Sequence, residues 1–143
     1  MEEKGWRGYI FSREIGGQLL PHRVQNVILR DYAQKKNIRI IFSIVEYFME
    51  HCYMMLDAYM EELEDIQGFV FYSTHLLPEN NEDRQKIYRT ILNQGCQLHF
   101  ALEELVIANQ QDVQSIEEII MCRNISHKMN SLPHTFSKDF LLI

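Results

Sequence analysis

Ser12 and Arg13 stand at a junction. The apolar run RGYIF (7–11) ends at them, and the loop that follows, REIGGQ, carries Gly16 and Gly17. A hydroxyl at the end of a strand is placed to attack, to bond a ligand, or only to bond its own turn. An arginine beside it suits a carboxylate or a phosphate, or it is a solvated loop residue. Glu46 ends a strongly apolar run, a setting that suits a carboxyl group to proton transfer or to capping. His75 follows GFVFYST in a loop, where an imidazole is available for acid–base work. Tyr53, Ser73 and Glu103 complete a set that could hold a polar ligand: Ser12, Glu46 and His75 as candidate catalytic groups, Arg13, Tyr53, Ser73 and Glu103 as candidate contacts.

These residues share a rim only if the elements carrying them are parallel strands. Four runs rich in Ile, Val, Phe and Tyr support this: Arg7–Ser12, Ile38–Glu46, Gly68–Thr74 and Gln97–Glu104. Two are nearly continuous apolar runs, the pattern of strands covered on both faces. Helical patterns lie between them. The first begins near Pro21, repeats Val24, Val27, Ile28 and Tyr32, and ends at KKN, where Asn suits a left-handed cap. The second spans about Cys52–Ile66 with Leu56, Tyr59, Met60 and Leu63 on one face. The third begins near Asn81, uses Ile87, Tyr88 and Ile91, and stops at Gly95. The fourth begins near Asp112 with Val113, Ile116 and Ile120. The order βαβαβαβα predicts an α/β fold: one domain over 1–124 with a mostly parallel four-stranded sheet flanked by helices. A tail over 125–143, irregular or docking, follows it.

In such sheets a ligand sits beyond the carboxyl ends of the strands. That rim would gather Ser12 and Arg13, Ser43 and Glu46, Tyr72, Ser73 and His75, and Glu103 and Glu104, with Cys52 and Tyr53 at the start of the second helix. The Gly16–Gly17 pair lacks the GxGxxG spacing of a phosphate loop.

Composition narrows the classes. The 143 residues carry 14 basic and 20 acidic side chains, a net charge of −6 that disfavours a phosphate backbone as partner. No apolar run approaches the roughly 20 residues of a membrane span. The N-terminus, MEEKGWRG, has no secretory core, so the cytoplasm is the expected compartment. Three widely spaced cysteines, Cys52, Cys96 and Cys122, fit a reducing environment, and no zinc-ligand spacing occurs. No motif points to a particular cofactor.

Gly8-Tyr9 before a strand, Ser12 at its end, a following helix with Gln25, Glu46 before a loop, and NQGCQLHFALEEL resemble the catalytic domain of the serine resolvase and invertase family over about Gly8–Leu105. The resemblance implies a resolvase-like, flavodoxin-like architecture and a serine that attacks DNA phosphodiesters beside clustered arginines. It also adds Gln25 to the candidate contacts. Those arginine places are here Ile10, Tyr53, Leu76 and Glu79, and no basic helix-turn-helix tail follows. A second resemblance rests on RGYIFSREIGGQLLPHRVQNVILRDYAQKKN, EYFMEHCYMMLDAYMEELEDIQGFVFYS and ALEELVI. These segments are similar to the sporadic carbohydrate cluster family of bacterial surface-glycan gene clusters.

The second resemblance sets the leading expectation, a protein of surface-carbohydrate or lipopolysaccharide biosynthesis that binds or modifies an activated sugar. A nucleotide sugar or sugar phosphate would lie with its phosphate on Arg13. Glu46 or His75 would move a proton, and Ser12 and Tyr53 would bond hydroxyls. The alternative is a noncatalytic, homodimeric interaction subunit of resolvase fold. The contact would then come from the last helix and the apolar tip Phe140–Ile143. A serine recombinase acting through Ser12 is the third reading.

Overall fold

In the computed structural model, which describes residues 4–130, five strands form one mixed sheet of order β2-β1-β3-β4-β5. In chain order the elements are β1 (Trp6–Ile10), α1 (His22–Lys36), β2 (Ile40–Val45), α2 (Met54–Met60), β3 (Gly68–Phe71), α3 (Asn81–Asn93), β4 (Gln97–Phe100), β5 (Leu105–Ile107) and α4 (Gln110–Asn130). Short 3₁₀ turns at Leu63–Asp65 and Thr74–Leu76 flank β3. Strands β1 to β4 are parallel, as expected. The fifth strand is a correction. Gln97–Glu104 is not one strand: the chain turns at 101–104, with Glu104 at φ 57°, and β5 returns antiparallel to β4. No Gly or Asn marks that turn, so the sequence pattern ran through it.

The core is built in register. Tyr9, Phe71 and Phe100 are paired neighbours on β1, β3 and β4, with ring centroids 4.6 Å and 5.9 Å apart along the row. All three are fully buried. On the opposite face Gly8 admits α1: a Cβ there would lie 2.6 Å from Ser43 Oγ and 2.9 Å from Leu29 Cδ1.

The inward face of α1 differs from the expected one. Gln25, Leu29, Tyr32 and Ala33 are buried, whereas Val24 and Val27 are exposed. A polar residue takes the inner phase because Gln25 finds main-chain partners there, as described below. The cap is as expected: Asn37 is left-handed and its N–H reaches back to the last turn. Helix α2 is shorter than Cys52–Ile66, and a 3₁₀ turn continues it. Asn80 starts α3 by accepting from Glu82 N at 2.8 Å. The run of β2 is not covered on both faces. It is an edge strand, with Ile41, Phe42 and Val45 exposed.

The chain divides into two units between Asn109 and Gln110. In the second, α4 buries Val113, Ile116 and Ile120, exposes Met121, Ile125 and Met129, and continues six residues past the expected boundary at 124. The tip Phe140–Ile143 lies outside the described residues. Among those described, no helix is long and apolar enough to cross a membrane.

Behind β4, His99 is buried between Tyr32 Oη at 2.6 Å and Gln97 Oε1 at 2.8 Å. Burial, with the Lys36 charge adding, pushes its pKa down from 6.5 to about 4. The unfolded chain takes up this proton near pH 6.5 and the folded chain only near 4. The contribution of neutral His99 is therefore complete above pH 6.5 and is lost as pH falls toward 4. The slope is at most ~1.4 kcal/mol per pH unit. Urea unfolding across this window should show a smaller acid loss in His99→Gln than in the wild type; an equal loss would exclude His99 as its source.

Candidate functional site

The parallel strands end together, and their ladders run on beyond the regular elements. Glu46 N bonds Ile10 O (3.1 Å), Tyr72 N bonds Tyr9 O (3.0 Å), and Ala101 N bonds Phe71 O (2.9 Å). The rim thus carries Glu46, Ser12–Arg13, Ser73 and Glu103 in the order of the sheet.

Glu46 is buried and both its carboxylate oxygens are in use. Oε1 accepts from Tyr9 Oη (2.8 Å) and Leu56 N (3.2 Å); Oε2 accepts from Tyr47 N (3.0 Å) and Met55 N (3.1 Å). The Cys52 thiol lies 3.9 Å away. The carboxylate therefore satisfies the first N–H groups of α2, which has no side-chain cap of its own. Burial and then Glu46 hold the Tyr9 phenol well above its ordinary pKa.

Arg13 is held from three sides. Its Nη1 donates to Cys52 O (2.8 Å), Met49 O (3.1 Å) and Tyr47 O (3.4 Å). The guanidinium carbon lies 3.9 Å from the ring centroid of Phe11 and 5.0 Å from that of Tyr53. Tyr53 in turn donates to Leu76 O at 2.9 Å, and burial pushes its phenol up to about 12. Gln25 is fully buried; its amide donates to Phe11 O and Leu20 O and accepts from Phe11 N. On the far side, Ser73 Oγ and Thr74 donate to the Glu103 carboxylate at 2.6–3.2 Å, and Ser73 Oγ accepts from His75 N.

The structure thus brings Arg13, Glu46, Cys52 and Tyr53 into one bonded group, and Ser73 with Glu103 into another. Ser12 belongs to neither. Its hydroxyl, half exposed, lies 2.8 Å from Nε2 of His22. His22 was not among the expected residues. The signal was present: the helix that follows a parallel strand starts from the rim where that strand ends, and His22 follows Pro21 at its start. His75 is exposed and lies beside Gly16, whose added Cβ would be 3.5 Å from the imidazole. Among the described residues no three His, Cys, Asp or Glu side chains gather as metal ligands.

No protein-family model matches the chain, and no curated protein does. Solved structures do. A resolvase-family site-specific recombinase from Streptococcus pneumoniae superposes with a TM-score of 0.60 at 9% identity, over 93% of this chain and 97% of its own. The N-terminal catalytic domain of TP901-1 integrase also gives 0.60, at 10% identity, over 86% of this chain and 98% of its own. The fold is resolvase-like. This corrects the leading expectation: the likeness is to recombinase catalytic domains, and nothing in the comparisons supports surface-carbohydrate biosynthesis, the carbohydrate-cluster resemblance or a nucleotide-sugar partner.

Removing the Glu46 carboxylate leaves the first N–H groups of α2 and the Tyr9 hydroxyl without their acceptor. Glu46→Ala should lower stability by about 3 kcal/mol in denaturant unfolding. A change below ~0.5 kcal/mol would mean that the loop and α2 are held by something else.

Proposed function

We propose that this chain is a noncatalytic interaction subunit of resolvase fold, assembling as a homodimer. The observation that carries the reading is the engagement of Arg13. Phosphoryl transfer needs positive charge directed at the reacting group. Here Nη1 of the strand-end guanidinium is turned back onto three main-chain carbonyls, and two rings lie against its faces. Arg84, past β3, is buried with Nη1 on the carbonyls of Pro78 and Glu79. A net charge of −6 adds repulsion toward DNA.

The dimer surface fits the exposed stripe of α4. Met121, Ile125 and Met129 recur every four residues and are 61%, 52% and 47% exposed, too apolar for a face that only meets water. Three free thiols suit a cytoplasmic setting.

Light scattering on the purified full chain should give a dimer at micromolar concentration. Ile125→Lys should convert it to a monomer that keeps the folded circular dichroism spectrum, because that side chain is not part of a core, and whose melting temperature no longer depends on concentration. A wild-type monomer would overturn the reading.

One observation favours a second reading, the serine recombinase: the 2.8 Å contact between Ser12 and His22, which would let an imidazole activate a hydroxyl. It predicts a covalent protein–DNA adduct on a nicked suicide substrate that is lost in Ser12→Ala. The interaction reading predicts no adduct.

A further inference from the structure

The open edge of the sheet is unusually inviting. Strand β2 is its first strand, and only β1 pairs with it. Because Glu46 N bonds back to Ile10 O, the alternation along the strand turns the main-chain groups of Ser43 and Val45 away from β1. Edges are ordinarily protected by Pro, Lys, other inward charges or bulges. Ile40–Val45 reads IIFSIV, with no Pro and no charge. A single irregularity occurs at Ile41, where the pairing moves from Trp6↔Ile40 to Arg7↔Phe42. Beyond it four residues stay regular, and Ile41, Phe42 and Val45 are 44%, 40% and 38% exposed.

Beside this edge, on the side of α1, runs a groove of about 630 Å³. Leu29 and Ile10 lie at its base, and His22, Arg30 and Arg39 stand on its walls; no Asp or Glu lines it. Neither arginine is in an ion pair among the described residues. In a chain with six more acids than bases, a groove free of acids is a local reversal of charge. On the opposite face of the sheet, Arg7 lies one strand in, its guanidinium carbon 4.6 Å from the ring centroid of Phe42, with Nε and Nη1 buried and lacking a hydrogen-bond acceptor. Positive charge therefore flanks the edge on both faces.

We propose that the β2 edge takes up an extended acidic segment of another protein as a sixth strand. Main-chain bonds to Ser43 and Val45 would supply the pairing. Alternate side chains of the guest would point to the two faces: carboxylates into the groove toward Arg30 and Arg39, apolar ones on the opposite face beside Phe42. A second copy is a poorer occupant, since two-fold pairing would bring one cationic groove against another. The proposal names a partner for the interaction subunit and so rests on that reading. The surface is β2 rather than α4, so the two can be tested apart.

The probe is a labelled, end-blocked heptapeptide alternating Glu and Val, with a Lys–Val peptide as control, titrated by anisotropy against the full chain. The Glu–Val peptide should bind saturably, at least ~10-fold more tightly than the Lys–Val peptide, and weaken as salt rises from about 25 to about 300 mM. Val45→Pro removes an outward N–H and leaves the β1 ladder intact. Both Val45→Pro and the double variant Arg30→Glu/Arg39→Glu should weaken binding about tenfold or more without losing the folded circular dichroism spectrum. If Val45→Pro does not fold, hydrogen exchange on the wild type decides: the Val45 amide should exchange freely alone and be protected by the peptide. Equal binding of both peptides, or binding that leaves Val45 unprotected, overturns the proposal. So does a dimer that Val45→Pro dissolves, which makes a second copy the occupant. Protection of Val45 in the free monomer does the same, since the chain's own tail would then cover the edge. Loss of dimerisation in Ile125→Lys with peptide binding retained keeps this inference separate from the α4 contact.

Discussion

The carboxylate of Glu46 is the joint on which the rim of the sheet depends. It stands one residue past β2, takes a hydroxyl from β1 through Tyr9, and receives the opening N–H groups of α2. A short helix of seven residues has little stability of its own, so a buried acceptor at its start decides where it begins and how it is aimed. The same carboxylate bonds Tyr47 N and thereby bends the chain out of the strand. Arg13 completes the joint from the other side, drawing the carbonyls of residues 47, 49 and 52 toward the end of β1. Negative charge collects the N–H groups of this loop and helix, and positive charge collects the carbonyls.

That arrangement bears on function through what it leaves over. A side-chain atom that already bonds the main chain can serve a ligand only by giving that bond up. Glu46, Gln25 and Arg13 are chemically suited to binding, yet each holds a segment of the rim. Ser73 and Glu103 do the same on the far flank, tying the turn after β3 to the turn after β4. Ser12, His22 and His75 are the rim residues that stand toward solvent. Most of the polar rim is thus occupied in holding the loops at the strand ends together.

Among the exposed apolar residues, one group lies along β2 and another along the outer stripe of α4. Neither is needed to fill the core, where Tyr9, Phe71 and Phe100 pack in register across three strands. Apolar surface that does not serve the interior is surface for contact.

The sequence by itself determined the local features. Alternating apolar runs and helical repeats gave four parallel strands and four helices in the right order. Asn37 marked the end of α1, because a cap depends only on residues within one turn. The candidate residues at the strand ends were legible for the same reason. Only the tertiary structure decided which of them meet. The placing of β2 at the edge, the inward phase of α1 set by Gln25, the hairpin into β5, and the contact between Ser12 and His22 all depend on partners brought together by strand order and packing. An apolar run reads the same whether it lies in the middle of a sheet or at its edge. A carboxylate likewise reads the same whether it faces a ligand or the first turn of a helix nine residues away.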